Sequence, residues 1–498
     1  MDLYDLFLFG WTMEVNRSRL IVAAMRGGAG KTLISVGLCA AWKRHLGLRV
    51  VAFKKGPDYI DAGWLRAASG GSCYNLDPFL MSPEQIVRSF VMRSARADVS
   101  LIEGNRGLYD GVDANGSYST AELAKLLRCP VVLILDATKV TRTAAAMVLG
   151  CQRLDAGVNI TGVILNQVAG KRHEQVLRES IEQWCGIPVL GVVPRQTHNF
   201  FPERHLGLVP LDEAEDSPES LSVAAAKMSE YLDLEALWKL AAAAPSLGCP
   251  MPTAAPEISR CSVEIGIIRD SAFQFYYPEN LEALEERGAS LVRISSLENA
   301  PLPEVDALYI GGGFPETHLD RLAANEVFRD SVKSAVDAGL PVYAECGGLM
   351  FLCRGIRHRE KLHPMVGVFP FEIILGTRPQ GHGYTVMECV SPNPFFPKGT
   401  TIRGHEFHYS RIAGRLDPDS SRFVFRLKKG HGIVAGWDGI CYKNVLAGYS
   451  HLHAAGNELW ADAMIAAAGS YKRLKTSISA DSGLDRVRPG SQSIPTVY

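Results

Sequence analysis

Short apolar runs recur through the first half of the chain, each followed by a stretch with the spacing of a helix. Residues 19–25 (RLIVAAM) read as a buried strand, 32–43 as a helix and 49–53 (RVVAF) as a second strand. Residues 99–103 (VSLIE), 131–136 (VVLILD) and 160–166 (ITGVILN) are further strands, each separated by room for a crossover helix. Near-continuous apolar strands alternating with helices predict a mostly parallel sheet covered on both faces. Residues 241–260 (AAAAPSLGCPMPTAAPEISR) break the rhythm with a Pro/Ala-rich stretch suited to an exposed linker. The pattern then restarts with VEIGII (263–268), a helix near 280–287, SLVRI, ALYIGGG and LPVYAEC. The expected fold is therefore α/β in two domains. An N-terminal extension over 1–17 precedes a phosphate-binding domain over 18–244. A linker at 245–260 leads to a second α/β domain over 261–474, and a polar tail at 475–498 is expected to lack order.

Length and composition agree with this picture. A chain of 498 residues exceeds what one hydrophobic core ordinarily organises. The formal net charge of -1 supplies no global field for nucleic acid or an anionic membrane, so neither is expected as a partner. No apolar run approaches the roughly 20 residues that span a bilayer. The apolar opening, 1–11, carries Asp2 and Asp5 without a basic flank and does not read as a secretory signal. The 11 cysteines are scattered with no C-x-x-C pair, which suits a reducing compartment, and the expected location is the cytoplasm.

Two segments carry chemistry. The first is Arg26-Gly-Gly-Ala-Gly-Lys31-Thr32, which follows a strand and opens a helix. Glycines let backbone N–H groups converge on phosphate oxygens, and the helix N-terminus adds its positive end. Gly28 and Gly30 would line such a loop, Lys31 would neutralise the β- and γ-phosphates of ATP, and the Thr32 hydroxyl would ligate Mg²⁺. Met25 stands where the usual pattern has glycine, so the loop is a deviant form. Acidic partners for the metal belong at neighbouring strand ends. Asp58 in KKGPDYID and Glu103 in LIEGNRGLYDG are so placed, with Asp61 and Asp110 nearby to position substrate or a second metal. Asn166, ending ITGVILN, is a candidate reader of the adenine edge, although a strand-end turn accounts for it nearly as well.

The second segment is PVYAECGGLM, where a strand ends at Cys346 between Glu345 and paired glycines, and a helix follows. A sharp strand-to-helix turn exposes a nucleophile, and the helix N-terminus is expected to lower the thiol pKa. Backbone N–H groups at Gly347 and in Gly311-Gly312-Gly313 would form an oxyanion hole. A thiolate nucleophile needs a base. His451 and His453 in GYSHLHA both qualify, and strand periodicity does not separate them. His405 and His408 in RGHEFHYS are further candidates.

The phosphate loop, GPDYID, EGNRGLYDG, GGGFPE, AECGG, RGHEFHYS and GYSHLH occur in the order found in cobyrinate a,c-diamide synthases, and the resemblance runs from about Ser18 to Lys472. That family resembles dethiobiotin synthetase in its first domain and class I glutamine amidotransferases in its second. The resemblance implies that Cys346 attacks the glutamine amide with His451 as its base and that ammonia passes to the first domain. There ATP would phosphorylate a tetrapyrrole carboxylate and ammonia would displace the phosphate. It also implies that Asp58, Tyr59, Glu103 and Asp110 serve ATP, metal and substrate, and that Tyr384 and RGHEFHYS shape the glutaminase site. Homodimerisation is left open. One departure concerns the ring: Asn105-Arg106 replaces residues usually apolar in that family. Arg106 could pair with an extra ring carboxylate, as in relatives acting on sirohaem or nickel sirohydrochlorin.

Other classes fit less of the chain. A partitioning-type switch ATPase shares a deviant loop but carries lysine at the place of Arg26 and has no cysteine-elbow domain. A stand-alone amidase would leave the phosphate loop idle, and a cobyric acid synthase relative would lack the GPDYID form.

Overall fold

The computed structural model describes residues 12–195, 201, 203–204, 207–214, 217–250, 262–414, 423–434 and 436–484. The chain divides into two compact units, residues 1–256 with 277–279, and 257–276 with 280–498.

The first unit is built on seven parallel strands. Their order across the sheet is Cys73–Leu76, Val50–Lys55, Val99–Glu103, Arg19–Ala24, Val131–Asp136, Ile160–Val168 and Val189–Pro194. The Arg19–Ala24 strand is wholly buried, as helices on both faces require of a parallel sheet. Its helix, Lys31–His45, ends in Lys43, Arg44 and His45, charges that suit a helix C-terminus. Strand order reverses around Arg19–Ala24, and such a crevice at the carboxyl ends of the strands is where doubly wound folds bind ligands. Residues expected as extension and linker also contribute structure, because Thr12–Val15 pairs antiparallel with Leu247–Pro250. Residues 1–11 and 251–261 lie outside the described residues.

The second unit carries a ten-stranded sheet with a parallel half and an antiparallel half. The parallel half runs Ala289–Ile294, Val263–Ile268, Ala307–Ile310, Val342–Glu345 and Val445–Gly448. From there the row continues antiparallel through Trp437–Tyr442, Phe423–Lys429, Gly381–Cys389 and Thr401–His408 to His451–Leu452. Only Tyr449 and Ser450 connect Val445–Gly448 to His451–Leu452, although four strands separate them in the sheet. This half must therefore curl until its ends meet at that dipeptide. A four-stranded sheet, Lys361–Pro364, Cys353–His358, Phe369–Leu375 and Ser410–Ile412, accompanies it. The helix Leu459–Leu484 continues through the first residues of the expected tail, and 485–498 lie outside the described residues. Among the described residues no helix is long and apolar enough to cross a membrane.

Candidate functional site

In the first unit, Gly28 (φ 69°) and Gly30 (φ 90°) occupy left-handed backbone, which turns the loop after the first strand into the helix at Lys31. A side chain at Gly30 would also collide with the amide of Asn166. That amide is committed to the loop: Nδ2 donates to Ala29 O (2.9 Å), and Oδ1 accepts from Gln167 N (2.9 Å). Reading an adenine edge would require exchanging those bonds.

Lys31 Nζ donates to the carbonyl oxygens of Arg26 (3.3 Å) and Arg106 (2.7 Å). Burial, with Lys54 nearby, holds its pKa below the ordinary lysine value. Arg106 sits at φ 53°, in strained left-handed backbone, and this conformation presents its carbonyl to Lys31 while its side chain stays exposed. Gly107 N donates to Asp110 Oδ2 (2.8 Å), which closes the same turn.

The acidic side of the crevice is denser than the sequence suggests. Thr32 Oγ1 donates to Glu103 Oε1 (2.9 Å), and Lys54 Nζ lies 2.6 Å from both Glu103 Oε1 and Asp61 Oδ2. Glu103 is fully buried, and burial raises its pKa against the opposing pull of Lys54 and Thr32. Burial works against the charge on Lys54, but Asp61 and Glu103 outweigh it and its pKa stands above the ordinary range. Asp58 Oδ1 accepts from Asp61 N (2.8 Å), in the first turn of the helix Ile60–Ser69. Burial and the Asp61 charge push its pKa up to about 7. Tyr59 follows it, half-buried, just before the helix.

Lys54 went unrecognised in the sequence, where it reads as the charged end of a strand. Two lysines closing a buried parallel strand were the available signal. Among the described residues Glu103 Oε2 is buried with no hydrogen-bond partner. An ionised oxygen left so beside the Thr32 hydroxyl fits a divalent cation. No group of three or more His, Cys, Asp or Glu side chains makes a ready cage among the described residues, so phosphate oxygens and water would complete its shell.

In the second unit, Cys346 occupies the corner between Val342–Glu345 and the short helix Gly347–Leu352. At φ 48° and ψ -99° it stores the strain of a nucleophile elbow. The Val445–Gly448 strand pairs beside it with Glu345 opposite Gly448, and Gly448 O accepts from Cys346 N (2.7 Å). His451 follows three residues later. A side chain on Gly312 would collide with Cε1 of His451, and one on Gly347 would come within 3.1 Å of Gly313 N. The glycine loop, the elbow and the His451 ring thus converge, and only glycines allow the approach. His453 is buried at the start of the next turn, so His451 is the histidine set against the loop.

His405 stacks on His451 with ring centroids 4.9 Å apart; burial first, then His451 and His453, hold its pKa well below the ordinary value. His408 lies flat on Tyr449 at 3.7 Å. Tyr384 pairs with His405 across the adjoining strands. The expectation of a lowered thiol pKa is corrected here: burial, then the Glu316 charge, push the Cys346 thiol up despite the N–H of Gly347. The short helix end does not outweigh desolvation, so a base must take the proton.

Two buried acids to which the sequence expectation gives no role fix this region. Asp438 accepts from Tyr449 N and Ser450 N, both at 2.9 Å, and thereby clamps the dipeptide where the sheet closes. Glu345 Oε2 lies 3.5 Å from His451 Nδ1.

This geometry defines a class: a phosphate-loop nucleotide-binding domain joined in one chain to a glutamine amidotransferase domain. Residues 20–209 match the family model described as the CobQ/CobB/MinD/ParA nucleotide binding domain, and 264–459 match the CobB/CobQ-like glutamine amidotransferase domain. The chain belongs to the cobyrinate a,c-diamide synthase family. It is 43% identical to the cobyrinate a,c-diamide synthase of Magnetococcus marinus, over 90% of this chain and 97% of that one. The enzymes of that name from Caldanaerobacter subterraneus (40%, over 87% and 94%) and Methanothermobacter thermautotrophicus (41%, over 88% and 96%) are similar along comparable lengths.

Proposed function

We propose that this chain converts the a and c acetate carboxylates of cobyrinate to amides, using ATP and glutamine, in cobalamin biosynthesis in the cytoplasm. The observation that carries the reading is the presence, in one polypeptide, of a phosphate loop whose Thr32 bonds a buried acid and a strained cysteine at the glycine loop against which the His451 imidazole is set.

Cys346 Sγ attacks the glutamine carbonyl while His451 takes the thiol proton and returns it to the departing ammonia. Water then hydrolyses the thioester to glutamate. The N–H groups of Gly313 and Gly347 receive the developing oxyanion. In the first unit, Gly28, Gly30 and Lys31 cradle the phosphates, Lys31 exchanging its two carbonyl partners for phosphate oxygens. Asn166 holds that loop from the side. Thr32, Glu103 and Asp58 would hold Mg²⁺, which when bound would offset the charge of the transferring phosphoryl group. The γ-phosphoryl passes to a ring carboxylate, leaving ADP. Ammonia attacks the acyl phosphate and expels inorganic phosphate. Asp58, Tyr59, Asp110 and Arg106 position the ring carboxylate, with Arg106 offering a bidentate guanidinium at the crevice mouth.

The exposed Arg106 also favours a second reading, the same chemistry on sirohaem or nickel sirohydrochlorin. Purified enzyme with ATP, glutamine and each of cobyrinate, hydrogenobyrinate, sirohaem and nickel sirohydrochlorin, followed by mass spectrometry, tests both. Two amidations of cobyrinate are expected; amidation of only the less modified rings would replace the first reading with the second.

A further inference from the structure

Glu345 is 1% exposed, and a carboxylate so deeply buried is costly unless its oxygens are engaged. Here both are. Oε1 accepts from Leu452 N (3.0 Å), and Oε2 accepts from the Tyr309 hydroxyl (3.2 Å). The Tyr309 hydroxyl in turn accepts from Asn280 Nδ2 (3.3 Å). Asn280 grips the same stretch of backbone that Glu345 holds: Nδ2 donates to Leu452 O (2.8 Å), and Oδ1 accepts from Ala454 N (2.7 Å). With Asp438 on Tyr449 N and Ser450 N, buried side chains fix the backbone before and after His451.

Within this frame Glu345 Oε2 stands 3.5 Å from His451 Nδ1, while the Cε1 edge of the ring faces Gly312. A carboxylate at Nδ1 selects the tautomer with its proton there, which leaves Nε2 to accept from a thiol, and it stabilises the imidazolium that results. We infer that Glu345, held by Tyr309 and Asn280, is the positioning residue for His451. The residue next to the nucleophile thereby sets the base that activates it. This rests on the reading of Cys346 and His451 as the glutaminase pair.

The test is glutaminase and amidation kinetics on the full-length enzyme carrying Glu345→Gln, Tyr309→Phe, Cys346→Ala or His451→Ala. Glu345→Gln keeps the shape and an oxygen for Leu452 N but loses the charge. It should lower kcat for glutamine by roughly two orders of magnitude, leaving KM for glutamine and ammonia-driven amidation unchanged. Tyr309→Phe, which keeps the ring, should lower kcat by about tenfold through the loosened carboxylate. Should Cys346→Ala and His451→Ala lose glutaminase while Glu345→Gln keeps the wild-type kcat, the Glu345 assignment falls and the pair stands. If Cys346→Ala keeps glutaminase, both fall. Loss of ammonia-driven amidation in Glu345→Gln would show a merely structural role and overturn the assignment.

Discussion

The Thr32 hydroxyl donates to Glu103 Oε1 at 2.9 Å, joining the first turn of the phosphate-loop helix to the end of a strand 71 residues further along. Lys54 neutralises that same oxygen, while Oε2 faces no partner among the described residues. The arrangement is balanced for a cation arriving with a nucleotide. Glu103→Gln preserves an acceptor for Thr32 and Lys54 but removes the charge. Amidation should fall by at least about 100-fold with either glutamine or ammonium as nitrogen donor, whereas glutamine hydrolysis should persist. Parallel assays of glutamate release and amide formation check this.

Asn166 touches the loop, and its replacement separates two roles. Losing the bond to Ala29 O frees the loop at Gly30, and one buried hydrogen bond is worth about 1 kcal/mol, with more where a partner is left unsatisfied. Asn166→Ala should raise KM for ATP by about tenfold, with the preference for ATP over GTP unchanged. A changed base preference would instead return Asn166 to the adenine-reading role that its strand-end position suggests.

The phosphate loop and the cysteine elbow were legible because each is local: strand, glycines, functional side chain and helix lie within about a dozen residues. Lys54, Glu345 and Asp438 were not, because their meaning is tertiary. Lys54 matters through Glu103 and Asp61, Asp438 through backbone N–H groups across a closing sheet, and Glu345 through a histidine more than a hundred residues away. The antiparallel half of the second sheet left little period in the sequence, since its strands mix buried and exposed positions irregularly. The choice of His451 over His453 rests on where Gly312 lies, which spacing does not reveal. Helix-end electrostatics, readable from sequence, pointed the wrong way for the Cys346 thiol because burial is a property of the folded chain.

That raised thiol pKa has a kinetic signature. A thiol in the ordinary range is mostly thiolate by about pH 9, and its alkylation rate then levels off. Because burial and Glu316 push Cys346 upward, its thiolate fraction should still be climbing there. Iodoacetamide labelling of residue 346, read by peptide mass spectrometry without glutamine, should therefore keep accelerating above pH 9. A plateau near pH 7 would mean that the resting pair is already thiolate and imidazolium.

Gly312 offers a probe that leaves the nucleotide unit untouched. Its backbone carbonyl accepts from Phe275 N (3.0 Å), so the loop is fixed in place, and a Cβ there would press on Cε1 of His451. The ring has little room to retreat, because His405 stacks on its face and Glu345 stands at Nδ1. Gly312→Ala must therefore push the loop away from the elbow or turn the imidazole, and under the proposed roles either displaces the base from the thiol or the Gly313 N–H from the oxyanion. A misplacement on the order of 1 Å costs about 100-fold in rate, so glutaminase kcat should fall by that order. Gly30, Lys31, Thr32 and Glu103 belong to the other unit, so ammonia-driven amidation should stay at the wild-type rate. The ratio of glutamine-driven to ammonia-driven amidation reads the effect directly, and an unchanged ratio would show that His451 is not held against this loop during turnover.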